Sequence, residues 1–306
     1  MKIAVVGSYG AGLTMRVPRV PVAGETLTGG DFSSGHGGKG SNQAVAAARL
    51  GAQVSLLSAV GPDQFGTAAR QMWAEEGVDA TGVRTADAAT MVGVILVDTH
   101  GENRIVIAPG ALDQLTTADV DRFADRITDA DTVVVSLEIP LPVATAALRL
   151  AHANGVRTLL NPAPAVELPD EAWAWIDVLT PNASEAQVLT GHQPDGNAHP
   201  DDLVDLIRTR YAGALVLTLG AAGAVVDHDG RRVVVEPVTV PRVVDTTGAG
   251  DAFTGALAVG LARGDTLTDA ARYAAAAGAH AVGIAEVVPA LAYPDDVAAL
   301  LRRRDR

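Results

Sequence analysis

Asp245-Thr246-Thr247-Gly248-Ala249-Gly250-Asp251-Ala252-Phe253-Thr254-Gly255 joins a β-rich run that ends near Val244 to an apolar helical run over residues 252–261. Gly248, Ala249 and Gly250 are small enough for successive backbone N–H groups to converge on a point. The helix that follows adds its positive end, and the combination makes an anion site. Asp251 stands in the first turn, beside that anion. A carboxylate there repels a resting phosphate, so its presence calls for a second reason. One is general-base work, taking a proton from an alcohol that attacks a phosphoryl group. The other is a plain helix start with Asp as a capping residue.

Outward from this turn the chain alternates short apolar runs with helical ones. Strands are expected at 2–7, 54–60, 132–137, 157–160, 178–180 and 214–218. Helices are expected at 44–50, 64–76, 117–128, 142–154, 183–189, 203–211, 251–261, 268–282 and 294–303. This alternation predicts an α/β protein, a mostly parallel central sheet covered by helices on both faces. Residues 1–306 are read as a single domain. Residues 13–21 carry two prolines and suit an exposed edge strand, and 24–32 suit a second. Residues 90–98 and 103–108 form a β-hairpin, and a further hairpin over 224–235 turns at Asp229-Gly230. The strands at about 10–31 and 90–108 are expected to make a small sheet standing off the main one.

The chain has 306 residues, 36 Asp and Glu against 23 Lys and Arg, and a net charge of -13. The acidic balance argues against nucleic acid as a partner, while leaving room for a phosphorylated ligand held by a local Gly-rich turn and a metal. There is no cysteine, which excludes disulfides, thiol catalysis and Cys-zinc sites. No apolar run reaches about 18 residues. The first residues read as a strand and not as a signal peptide. A cytoplasmic protein with no membrane contact is expected.

In a parallel sheet, ligands bind beyond the carboxyl ends of the strands. Glu138, Asn161, Asn182, Gly220 and Asp251 all fall there. Ser34-Gly35-His36-Gly37-Gly38-Lys39-Gly40-Ser41-Asn42-Gln43 is a second Gly-rich turn into a helix. Lys39 at a helix N-terminus opposes the dipole, and a ligand oxygen would explain it better than a solvated loop. Asn182 and Glu185 share a helix face. They suit Mg²⁺ held directly or through water, or simply a capping box. Glu138 suits either substrate hydroxyls or the surface. Thr218 to Gly223 suits either a nucleotide approaching the backbone or a tight turn.

Gly37-Gly38-Lys39-Gly40 with Asn42, Asn182-Ala183-Ser184-Glu185 and Asp245-Thr246-Thr247-Gly248-Ala249-Gly250-Asp251 together resemble the ribokinase family of sugar kinases, the PfkB carbohydrate kinases. Gly24-Glu25-Thr26 and Asn161-Pro162-Ala163-Pro164 extend the likeness over essentially the whole chain. The resemblance implies transfer of the γ-phosphate of ATP to a hydroxyl of ribose or a related small sugar. It implies Asp251 as the base, with an anion hole over Gly248 to Gly250 supplied by the N–H groups of Ala249 and Gly250. Gly38, Lys39, Gly40, Asn42 and Glu138 would hold the sugar, with Gly10 and Gly12 also facing it. Asn182, Glu185, Thr218, Gly220, Gly223 and Gly250 would serve Mg-ATP. The standing-off strands would be a lid over the sugar, and in the family such strands pair two subunits in a homodimer.

Two departures accompany the likeness. Ribokinases usually carry Asn-x-Asp after the first strand, where this chain has Gly10 and Gly12. The glycines are expected to weaken ribose binding and to leave room for a bulkier substrate. The family also places K⁺ beside the anion hole. Asp245 and Thr247 fit that site, and the later segment here reads Ala281, Ile284, Glu286 and Ala290, where Gly and Ser are usual at the third and fourth. The alternatives are a nucleoside kinase of the same superfamily and a catalytically inactive sugar-binding regulator.

Overall fold

The computed structural model describes residues 1–100, 102–194 and 198–304. Nine strands among them form the main sheet. In order across it these are Arg231–Val235, Ala224–His228, Ala214–Thr218, Val178–Leu179, Arg157–Asn161, Thr132–Ser136, Lys2–Val6, Gln53–Leu57 and Val78–Asp79. The hairpin strands Ala224–His228 and Arg231–Val235 run antiparallel, and the others are parallel. Period-two alternation buries both faces of the central strands, such as Lys2–Val6 and Thr132–Ser136. Ile3 and Val5 enter one core with Val54, Val134 and Leu159. Ala4 and Val6 enter the other with Val133, Val135 and Leu160. Helices Lys39–Arg49, Ala249–Arg263 and Leu267–Ala281 cover the first face, and Leu141–Ala153 and Ala183–Leu189 the second. No helix among the described residues is long and apolar enough to cross a membrane.

Helix Ala249–Arg263 is buried nearly all round, and its small residues make that possible. A Cβ on Gly255 would stand 2.7 Å from Ala46 Cβ and 2.8 Å from the Gln43 carbonyl. The bare glycine therefore lets this helix lie against Lys39–Arg49, and the starts of the two helices come together.

Four strands make the second sheet, in the order Phe32–Gly37, Gly10–Arg16, Val92–Val97 and Asn103–Ala108. Here the structure corrects several expectations. The strand beginning at Gly10 is interior, because Pro18 and Pro21 lie beyond its end and block no pairing. Its neighbour is Phe32–Gly37, and no strand covers 24–31. Phe32–Gly37 has little intrinsic strand preference, and its extended form comes from pairing. The stretch 236–247 is not strand, since Pro237 and Pro241 interrupt its apolar residues. Helix Lys39–Arg49 starts earlier than residue 44, and the predicted helix over 117–128 is two short ones, Thr117–Arg122 and Ala124–Thr128.

Candidate active site

The carboxyl ends of the parallel strands deliver Ser8, Glu138, Asn161, Asn182 and Thr218 to one edge of the sheet. Helices Lys39–Arg49 and Ala249–Arg263 begin over that edge. Gly40 lies so close to Gly7 that an added Cβ would stand 2.5 Å from Gly7 Cα. The Ser41 N–H donates to the Ser8 carbonyl at 2.8 Å and fixes the first helix to the first strand.

Asp251 is the third residue of its helix and is buried, 8% exposed. Both its oxygens are occupied. Asn42 Nδ2 donates to Oδ2 at 2.8 Å, and Gln43 Nε2 donates to Oδ1 at 3.0 Å. Gln43 Nε2 also donates to Asn161 Oδ1 at 3.0 Å, and Asn161 Nδ2 donates to the Thr180 carbonyl at 3.0 Å. Burial pushes the Asp251 pKa up, and the nearby Glu138 charge adds to that. The Lys39 charge and the two amide donors oppose the rise. Asn42 Oδ1 and Gln43 Oε1 are buried with no hydrogen-bond partner among the described residues. Such acceptors are what a ligand hydroxyl would satisfy.

Glu138 Oε2 accepts from Ser8 Oγ at 2.5 Å and from the Lys39 N–H at 3.1 Å. Lys39 and Asp251 both act on Glu185, whose pKa burial raises first of all. Lys39, Asn42, Glu138, Glu185 and Asp251, from four separate segments, thus share one electrostatic neighbourhood. Reasoning from sequence did not single out Gln43. Its only signal there is a long amide opening an otherwise small and apolar run, Ala44 to Ala48.

Gly248 precedes the helix with φ 79° and ψ -4°, a left-handed conformation that glycine adopts without strain. Ala249 N–H donates to the Thr246 carbonyl at 3.3 Å, so this predicted anion donor already has a weak local partner. Thr247 N–H donates to Asp245 Oδ1 at 2.9 Å. The Val244 and Asp245 N–H groups both donate to the Val282 carbonyl, which sets Asp245 and Thr247 beside the segment Ala281 to Ala290. Along that segment Ala281 and Ala290 are buried, and Ile284 and Glu286 are exposed.

Asn182 and Glu185 form a reciprocal capping box. Glu185 N–H donates to Asn182 Oδ1 at 2.9 Å, and Asn182 N–H to Glu185 Oε2 at 2.8 Å. Thr218 N–H donates to the Pro181 carbonyl at 2.9 Å, which places the turn from Gly220 to Gly223 next to that helix start. Gly220 and Gly223 have positive φ, and the Leu219 N–H donates to the Gly223 carbonyl at 2.8 Å. Among the described residues no three His, Cys, Asp or Glu side chains converge as a metal cluster. At Gly10 the expected room is taken: a Cβ there would overlap Met91 Cε. At Gly12 the nearest atom to an added Cβ is Ile95 Cδ1, at 3.8 Å.

A family profile, pfkB family carbohydrate kinase, matches residues 1–288. The ribokinase of Haemophilus influenzae is 37% identical over 281 residues, covering 92% of this chain and 92% of that protein. The deoxyribokinase of Salmonella typhi is 35% identical over 260 residues, 84% of this chain and 85% of that one. A structure of Arabidopsis thaliana ribokinase complexed with ribose and ATP superposes with a TM-score of 0.91 at 27% identity, over 98% of both chains. Fold and sequence together define a carbohydrate kinase, a phosphotransferase with an alcohol group as acceptor. More particularly, the chain belongs to the pfkB family and has the ribokinase-like fold.

Proposed function

We propose that this chain transfers the γ-phosphate of ATP to a hydroxyl of ribose or a related small sugar. The observation that carries the reading is the buried Asp251, held by two amide donors at the start of helix Ala249–Arg263. Asp251 accepts the proton of the acceptor hydroxyl. That oxygen forms its bond to the γ-phosphorus as the bond to ADP breaks, and the charge gathering on the transferred group lies toward the N–H groups of Gly248 to Gly250. The unpartnered Asn42 Oδ1 faces a sugar hydroxyl, with Gly38, Lys39, Gly40 and Glu138 around it.

Asn182, Glu185 and the turn Thr218 to Gly223 serve the nucleotide. Glu185 keeps one oxygen outside the capping box, which fits a water-bridged Mg²⁺. Mg²⁺ held there would neutralise the charge that develops on the phosphates during transfer. A K⁺ site at Asp245, Thr247 and the segment 281–290 is supported by the hydrogen bonds that join the two, and its donors would be mainly backbone carbonyls. We read residues 1–306 as one domain whose second sheet, built from 10–16, 32–37, 92–97 and 103–108, closes over the sugar. Ile105, Val106 and Ile107 stay exposed on its outer strand, which suits pairing of two subunits.

A coupled ADP-release assay with Mg-ATP over pentoses, hexoses, polyols and nucleosides tests the function. Sugar-dependent turnover supports it. ADP release that no acceptor stimulates would overturn it.

A further inference from the structure

Register in the small sheet sets Gly35, Gly12 and Gly93 side by side on three adjacent strands. Gly10 and Gly37 form the next pair on the same face. A Cβ on Gly93 would meet nothing within 4 Å, so the face is open there. These glycines offer no side chain to a hydroxyl, and the N–H and C=O groups of the two interior strands, Gly10–Arg16 and Val92–Val97, are largely spent on the sheet. A neutral sugar laid on this face needs its polar contacts from elsewhere.

Beside the apolar Met91 and Ile95, one charged side chain among the described residues reaches it. Glu286 Oε2 lies 4.0 Å from where a Cβ on Gly35 would stand, one cross-strand step from Gly12. The backbone at Glu286 has φ 67° and ψ 158°, a region occupied almost only by glycine. Such strain persists where the surroundings enforce it and gathers at functional sites. The surroundings are clear. The next residue, Val287, fills the space beside Gly248, and Arg49 Nη1 donates to the Val288 and Leu291 carbonyls at 2.8 and 2.7 Å. Glu286 is therefore held between the turn that leads to Asp251 and the bare glycine face.

We propose that Glu286 is a specificity-determining residue for the acceptor. Its carboxylate accepts hydrogen bonds from sugar hydroxyls lying over Gly12 and Gly35, and it repels acceptors that carry a carboxylate or phosphate there. The site thus selects neutral polyhydroxyl acceptors over sugar acids. This deepens the proposed kinase function and rests on it.

The test compares wild type with Glu286→Gln and Glu286→Gly. The probes are D-ribose, D-xylose, ribitol and D-gluconate, in the ADP-release assay. For the best neutral acceptor, KM is expected to rise about tenfold or more in both variants, as loss of a charged hydrogen-bond partner implies. KM for ATP should stay within about twofold, and discrimination against D-gluconate should relax. Glu286→Gly should melt no lower than wild type, because glycine accepts the backbone conformation. An unchanged acceptor KM in Glu286→Gln would overturn the inference and leave the kinase function standing. If the wild type phosphorylates none of the acceptors, the proposed function falls and the inference falls with it.

Discussion

Gln43 Nε2 donates at 3.0 Å to Asp251 Oδ1 and at 3.0 Å to Asn161 Oδ1, so one buried amide ties helix Ala249–Arg263 to the end of strand Arg157–Asn161. Asp251 is not merely a helix cap. Its two oxygens are spoken for by donors from another helix, and its orientation is set relative to the sheet edge where the polar groups gather.

Gln43→Leu removes both donations and leaves a buried carboxylate oxygen and an amide oxygen unpaired. A loss of about 1–3 kcal/mol in unfolding free energy is expected from urea titration. The lost hydrogen bond favoured the charged carboxylate, so the acid limb of the kcat profile should move to higher pH. A variant with lower stability and an unmoved acid limb would leave Gln43 with a purely structural role.

The raised pKa of Asp251 also has a sign in stability. Its folded value lies above the ordinary 3.8, so the native state keeps a proton over a range where the unfolded chain has lost it. The stability from that proton is full below the unfolded pKa and is lost as pH rises through the folded one. Asp251→Asn carries no charge to bury. It should melt higher than wild type near neutral pH, and the gap should narrow as pH falls toward about 4. A lower melting temperature for Asp251→Asn near neutral pH would contradict the burial argument.

Gly10 is a packing position as well as a missing hydrogen-bonding one. Gly10→Asn should destabilise by about 1–3 kcal/mol, because its Cβ overlaps the Met91 methyl. Met91→Ala makes room, and the double variant should recover part of that loss, a non-additive coupling that a double-mutant cycle reads directly. Additive losses would mean that Met91 does not fill this space.

The parts of the site carried by local sequence were legible. Asn182 and Glu185 sit three apart, and their reciprocal bonds need no tertiary information. Gly248 to Asp251 form a turn into a helix whatever packs around them. Gln43 was not legible, because its partner Asp251 lies 208 residues further along the chain. Met91 was hidden for the same reason, since only the pairing of Ala11 with Val92 brings it onto Gly10. Strand–helix alternation predicted the main sheet. The small sheet was harder: Phe32–Gly37 has two serines and two glycines in six positions, and takes its form from its neighbour.

Turnover by Asp251→Asn under saturating ATP and the best acceptor sugar tests the central claim most directly, with ATP affinity measured on the same preparation. If Asp251 takes the acceptor's proton, kcat falls by about 10²–10⁴-fold while the ATP dissociation constant stays within about twofold. A kcat near the wild-type value would contradict the assignment of Asp251 as the base.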